Sequence, residues 1–514
     1  MTIVTRRRRL AAAALALSTA LVGTACGGED EKAASLDTIT VMTRLFGTAP
    51  DPNGEVQQAI QKVIGKKLDI NWVPNADYGD KLNVTLASNN IPDVLVADEK
   101  APAFVQAANA GAFWDLTDKL DKYPNLKAAD ERTALNSSIN GKIFGIYRVR
   151  PALRSAVVIR KDWLAKVGLQ EPETVDDLYR IAKAFTEQDP DGNGKKDTYG
   201  LIIPKWPGNY ASSSPYDTIE TWFGAPNGWG ERNGKLVQGF DTEEFYAANR
   251  FLKKWVDEGL VNKDFATLDS GNWNDPFVQG KGGIIIDVNV RGADLSVRLK
   301  QKDPKDFDKV TMVGNLKRSD GQKFSLPFTG YNNVVAISKQ RIRTEEQLDD
   351  VLTTLDKLQS QEGSALLTNG IEGRNYKLEN GSAVLINQDD PKVKVIQNDV
   401  DKAFIQLGTR ASVGQGQYPF KYPDEPTQKL YELQKTLMEK DLPTAVYNPA
   451  LPVIAPTLVS KGQTLNLIIP DARIKYLSGA ITEEQLRAEV KRWYDSGGTQ
   501  VTQEVNDLVS KLPK

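Results

Sequence analysis

Hydrophobic positions along the chain change period again and again, and the changes mark out its elements. In residues 38–41 Ile39 and Val41 alternate with Thr38 and Thr40, as a half-buried strand would. Glu55 to Ile64 carries a helical spacing, Leu68, Ile70 and Trp72 alternate again, and Lys81 to Ala87 is helical. Asp93 to Ala97 is a short continuous apolar run, and Ala101 to Ala110 returns to a helix. Strand, helix, strand, helix, strand at this spacing predicts a parallel-rich sheet covered on both faces. Binding crevices of such sheets lie beyond the carboxyl ends of the strands.

The same alternation resumes after each irregular region. Ala156 to Ile159 reads as a strand. A helix from Val175 to Phe185 follows, opened by Thr174 and Asp177 in capping-box spacing, with Val175, Leu178, Ile181, Ala182 and Phe185 as its apolar stripe. Residues 204–240 have little periodicity and are rich in Trp, Tyr, Gly, Pro and Asn. Further helices are predicted at Glu243 to Glu258, Glu345 to Leu358 and Glu483 to Trp493. Further strands are predicted at Gly283 to Val290 and Asn333 to Ile337. The fold class expected is α/β, two lobes with parallel-rich sheets and a ligand cleft between them. Chain crossings are expected near Ser155, Met312 and Ile386. Residues 37–155 with 312–385 then form lobe 1, and 156–311 with 386–514 form lobe 2.

The N-terminus changes the picture. Arg6 to Arg9 precede an apolar run from Leu10 to Val22, too short to anchor stably across a bilayer. Residues 1–25 therefore read as a signal peptide. The sequence Gly23-Thr24-Ala25-Cys26 resembles the lipobox of bacterial lipoproteins, whose cysteine is acylated and becomes the mature N-terminus; Gly23 stands where that motif commonly has Leu. An ordinary secretory signal would also account for the basic and apolar runs. Residues 26–36 then form the lipidated start and a polar tether. The resemblance implies a body on the extracellular face of the cell membrane, held there by its lipid.

Composition narrows the chemistry. The 514 residues include no histidine and one cysteine. Catalysis by Ser-His-Asp or Cys-His and metal centres built on His are excluded. The net charge of −2 gives no bulk pull toward nucleic acid. Carboxylate chemistry survives, so a secreted carbohydrate-active enzyme with two carboxylates about 5–9 Å apart stays open as the alternative. No pair is singled out at a strand end.

One loop carries a specific signal. Asp189, Asp191, Asn193 and Asp197 place oxygens at positions 1, 3, 5 and 9, Gly194 falls at position 6, and Lys195 offers its carbonyl at position 7. Calcium takes six to eight hard oxygens, and an EF-hand loop supplies them at this spacing. Gly200 stands where a full EF-hand has its bidentate Glu, and a strand-like Tyr-Gly-Leu run follows. The expectation is a single calcium loop on another fold, with a structural ion. A solvated Asp/Gly turn would use the same residues.

Six stretches together resemble family 1 extracellular solute-binding proteins, the lipoprotein subunits of ABC importers. They are NNIPDVLVAD at 89–98, IRKDWLAKVGL at 159–169, DPDGNGKKDTYGL at 189–201, FGAPNGW at 223–229, DEGLVNKDF at 257–265 and GIEGRNY at 370–376. The group most similar includes alginate-oligosaccharide binders and LipO-like lipoproteins. The resemblance implies a monomeric, non-catalytic receptor. It would take an oligosaccharide by lobe closure and deliver it to permease subunits, with a calcium ion remote from the ligand. Where that loop commonly has an acidic residue at position 10, Thr198 stands here.

Aromatic rings stack on the C–H faces of sugars, and amides, carboxylates and Arg take the hydroxyls. Trp206, Tyr210, Trp222, Trp229 and Trp273 lie in irregular stretches, which suits a cleft; core packing would also account for them. By the resemblance Trp273 is the foremost candidate. Tyr331, just before a strand, and Arg44, after the first strand, complete the expected ligand-binding set. Trp163, Trp255 and Trp493 fall in or beside helical runs and are expected in the core.

Overall fold

The structure is a computed structural model describing residues 35–98, 100–127, 130–206, 214–409 and 417–512. The signal peptide, Cys26 and Tyr210 lie outside the described residues. The strands are β1 (Thr38–Leu45), β2 (Lys67–Pro74), β3 (Val94–Ala97), β4 (Ile146–Val149), β5 (Ser155–Arg160), β6 (Tyr199–Leu201), β7 (Trp229–Arg232), β8 (Lys235–Gln238), β9 (Gly282–Val288), β10 (Val310–Val313), β11 (Tyr331–Ile337), β12 (Tyr376–Glu379) and β13 (Ser382–Leu385). They build one sheet of order β2-β1-β3-β11-β4, a second of order β10-β5-β9-β6, and two hairpins.

In the first sheet β1 runs parallel to β2 and β3, and β11 is antiparallel to both β3 and β4. In the second, β5 is antiparallel to β9 and β10, and β6 is parallel to β9. β3 and β5 are buried along their whole length, which explains their unbroken apolar runs. Each interior Val, Leu or Ile so enclosed contributes about 1.5–3 kcal/mol. Helix packing on the second sheet is close enough to demand glycine: a Cβ on Gly283 of β9 would lie 2.4 Å from the Phe185 ring and 2.6 Å from the Trp163 ring.

The capping boxes form as their spacing requires. Thr174 and Asp177, Thr344 and Gln347, and Thr482 and Gln485 each exchange side-chain and backbone hydrogen bonds at the start of a helix. Trp163, Trp255 and Trp493 are buried in the core of the second lobe.

Two crossings join the lobes side by side, residues 150–154 and 314–330. They are tied by Phe328 N–H donating to the Ala152 carbonyl and Arg150 N–H to the Gly330 carbonyl, both at 2.9 Å. The second crossing begins after β10, because Val310–Val313 pairs with β5. The chain also stays with the first lobe well past Ile386. Ile396 and Val400 of helix Pro391–Lys402, with Phe404 and Leu407, fill the core under the first sheet. Ala383 of β13 still holds the Pro419 carbonyl and the Lys421 N–H. Helix Glu425–Asp441 then packs on helix Val290–Lys302 of the second lobe, so the third crossing lies beyond residue 421.

Strand directions fix which edges meet. The crossings leave the first sheet at the carboxyl end of β4 and the amino end of β11. They enter the second at the amino end of β5 and the carboxyl end of β10. The carboxyl ends of β1 and β3 therefore face those of β6 and β9.

Candidate functional site

At the first of these edges Arg44, next to last in β1, is ion-paired with Asp98 just past β3. Its guanidinium lies 4.6 Å from the centre of the Tyr78 ring and donates to Asn75 Oδ1 at 3.2 Å. Asp98 Oδ1 also accepts from Asn333 Nδ2 at 2.9 Å, and Asn333 Oδ1 accepts from Arg148 at 3.2 Å. Arg148 is fully buried, and its remaining bonds go to Gln406 Oε1 and the carbonyls of Gly408 and Ile405. Burial, with Arg150 and Arg44 nearby, lowers its pKa to about 9. One carboxylate thus serves two arginines, one directly and one through an amide. Removing Asp98 would leave both cations uncompensated.

The opposite edge repeats the arrangement. Asp287 of β9 holds Arg291 at 2.5–2.6 Å, and that guanidinium lies 4.4 Å from the centre of the Trp273 ring. Burial pushes the Asp287 carboxyl up, against the pull of Arg291. Trp206, five residues beyond β6, meets Trp273 edge-on at 6.4 Å and is half-buried.

Several expected ligand contacts are placed elsewhere. Trp273 is 1% exposed; its indole N–H donates to the Ile202 carbonyl at 3.0 Å, and its ring packs with Ala156, Val158, Phe277 and Ile285. Trp222 is also 1% exposed, donates to Asn315 Oδ1 at 2.9 Å, and ends helix Pro215–Trp222 rather than lying in an irregular stretch. Both are core residues in this structure, with no ring face left for a sugar. Tyr331 is 4% exposed at the crossing, its hydroxyl donating to the Asn136 carbonyl at 3.3 Å. Arg44 and Trp206 lie on the facing edges.

Trp229 opens the β7–β8 hairpin and lines a cavity of about 740 Å³ with Arg132, Asn136, Phe324, Arg318 and Tyr447. Arg132 lies 3.9 Å from the centre of the Tyr447 ring. Arg318 and Phe324 of the second crossing form part of its wall, and neither Arg44 nor Asp98 lines it. Periodicity concealed the hairpin, but Asn233-Gly234, both at positive φ, is its turn signal.

The acidic loop sits between helix Val175–Glu187 and β6. Asn193 Nδ2 bridges Asp191 Oδ2 at 2.7 Å and Asp197 Oδ1 at 3.0 Å, and the Asn193 and Gly194 N–H groups donate to Asp189. Lys281 pairs with Asp197 at 3.1 Å. Among the described residues no three acidic side chains converge as a ready metal cluster. The chemistry of the donor set nevertheless fits calcium: three carboxylates, an amide and the Lys195 carbonyl, all hard oxygens. Turning the Asn193 amide would present Oδ1 in place of its NH₂. Burial, and then a hydrogen bond shared with Asp189, pushes the Asp191 carboxyl up.

Two α/β lobes, double crossings and facing strand ends define a two-lobed binding protein. The model of the bacterial extracellular solute-binding protein family matches residues 53–311. The chain is 39% identical to lipoprotein LipO of Bacillus subtilis (strain 168) over 92% of both chains. It is 33% identical to the polygalacturonan/rhamnogalacturonan-binding protein YtcQ of the same organism over 96% of both. Among solved structures, an extracellular solute-binding protein from Bifidobacterium longum subsp. infantis superposes with a TM-score of 0.71 at 20% identity, covering 92% of this chain and 98% of that one. Alginate-binding protein AlgQ2 without calcium ion superposes at 0.66 and 18% identity, covering 92% and 98%. The chain belongs to the bacterial extracellular solute-binding protein family, and its fold is that of the periplasmic solute-binding proteins.

Proposed function

We propose that the protein is a lipid-anchored receptor that captures an oligosaccharide between its lobes and hands it to an ABC importer. The observation that carries this is the pair of facing strand edges, each presenting an Arg–Asp pair laid on an aromatic ring: Arg44–Asp98 on Tyr78 and Arg291–Asp287 on Trp273. The accessible members of these pairs, the guanidinium groups of Arg44 and Arg291 and the Asp98 carboxylate, offer donors and acceptors suited to hydroxyls, while Asp287 is buried beneath Arg291. Rotation about the two crossings would bring the edges together on the ligand, and the importer would read the closed state.

The names of the relatives support a binding role over catalysis, since YtcQ and a fructooligosaccharide ABC transporter substrate-binding protein of Streptococcus pneumoniae are both binding proteins. Acylation of Cys26 would hold a monomer at the extracellular face of the membrane. Asp189, Asp191, Asn193, Asp197 and the Lys195 carbonyl would hold a structural calcium ion, joining helix Val175–Glu187 to β6 at a distance from the ligand. The described residues include no helix long and apolar enough to cross a membrane.

Isothermal titration with oligosaccharides cut from polygalacturonan and rhamnogalacturonan, and with kestose, raffinose and stachyose, tests the reading. Saturable binding to at least one, with the sugar recovered intact, is expected. Cleaved sugar, or no binding across the panel, overturns it.

A further inference from the structure

Sequence patterning passes over Phe46, one residue beyond β1. The residue is 50% exposed, although its backbone is packed against a helix. The Phe46 N–H donates to the Lys402 carbonyl at 3.0 Å, at the end of helix Pro391–Lys402. The next residue, Gly47, lies so close to that helix that a Cβ there would meet Lys402 Cβ at 3.0 Å and Asn398 Oδ1 at 3.3 Å. The backbone is thus pinned from behind while the ring projects outward. Phe46 also stands two residues from Arg44, just past the last position of β1.

The facing edge carries a counterpart. Val290 stands two residues past β9, at the start of helix Val290–Lys302, between buried Asn289 and the Trp273-stacked Arg291, and is 52% exposed. Asn289 is itself fixed, its N–H donating to the Arg154 carbonyl at 2.6 Å. Scattered exposed apolar side chains are ordinary. These two differ in position: each lies just past the carboxyl end of an interior strand, on opposing edges, beside an Arg–Asp pair. A single exposed ring held on a stiff backbone loses little entropy when a ligand covers it.

We propose that Phe46 is a ligand-stacking platform of the cleft, holding the C–H face of a pyranose unit, with Val290 covering that unit from the second lobe on closure. This rests on the oligosaccharide reading above and adds to it where one sugar ring sits. Arg44 and Asp98 then reach the hydroxyls at the rim of the stacked ring. An aromatic face takes the side of a sugar ring on which C–H groups form a continuous surface.

The test is titration of the full chain with whichever panel sugar the wild type binds, using Phe46→Ala, Phe46→Trp and Val290→Ser. Phe46→Ala should raise Kd by tenfold or more, equivalent to about 1.4 kcal/mol, whereas Phe46→Trp keeps Kd within a few-fold. Val290→Ser should raise Kd less than Phe46→Ala. All three should melt with the wild type, because both side chains are half-exposed. Unchanged affinity in Phe46→Ala, with the wild type binding, overturns the platform and leaves the oligosaccharide reading standing. Equal losses in Phe46→Ala and Phe46→Trp also overturn it. No binding by the wild type to any panel sugar overturns both.

Discussion

Trp273 separates a core role from a cleft role, and the two lead to opposite behaviour on truncation. Its ring is enclosed by Ala156, Val158, Ile202, Phe277 and Ile285, its N–H satisfies the Ile202 carbonyl, and Arg291 lies across its face. Truncating a buried aromatic to Ala costs about 3–5 kcal/mol through lost transfer energy and the cavity left behind. The orphaned carbonyl adds about 1 kcal/mol, and loss of the ring under Arg291 adds about 0.5–2 kcal/mol. These terms overlap, so about 5 kcal/mol is the working figure for Trp273→Ala. At about 2–4 °C per kcal/mol for a lobe of this size, the second lobe should melt roughly 10–20 °C lower. Scanning calorimetry of the full chain reads this directly, with Trp206→Ala as the half-buried control losing less than half as much. If Trp273→Ala melts within about 2 °C of the wild type and loses sugar binding instead, the ring belongs to the ligand and the core assignment is wrong.

Other consequences are equally direct. Calcium at 100 times its Kd should stabilise the folded chain by about 2.7 kcal/mol. A chelator should therefore lower the melting temperature of the wild type and leave Asp191→Ala unmoved; no response to chelation would remove calcium from the account. Burial pushes the Glu220 carboxyl up to about 7 from 4.5, against the pull of Arg473 2.7 Å away. Between those values the folded chain keeps a proton that the unfolded chain has lost, so Glu220 makes stability fall as pH rises through that window, by at most about 3 kcal/mol. Melting Glu220→Gln alongside the wild type at pH 4.5 and pH 7.5 should show a flatter dependence in the variant, and parallel profiles would refute the shift.

Where local signals decide structure, the sequence was readable. Thr344 with Gln347 and Thr482 with Gln485 announce helix starts through short-range hydrogen bonds, and the boundaries of those helices follow. Val94–Ala97 and Ala156–Ile159 show their burial as unbroken apolar runs. Which lobe a segment joins is a long-range matter. Ile396 and Val400 form the same stripe whichever sheet they cover, so the passage of 391–407 under the first sheet could not be read from spacing. The tryptophans show the same limit. Trp222 and Trp273 sit among turn-forming residues, yet each indole N–H finds an acceptor, Asn315 or Ile202, that is distant in sequence. Phe46 escaped notice for the converse reason. A phenylalanine after a strand looks like core until the close approach of Lys402 behind Gly47 is seen.

Small-angle scattering with and without ligand tests lobe capture most directly. On saturation with the sugar found by titration, the radius of gyration should fall as the edges bearing Arg44–Asp98 and Asp287–Arg291 close on it, with the sugar recovered unaltered. An unchanged radius of gyration at saturation would contradict capture between the lobes.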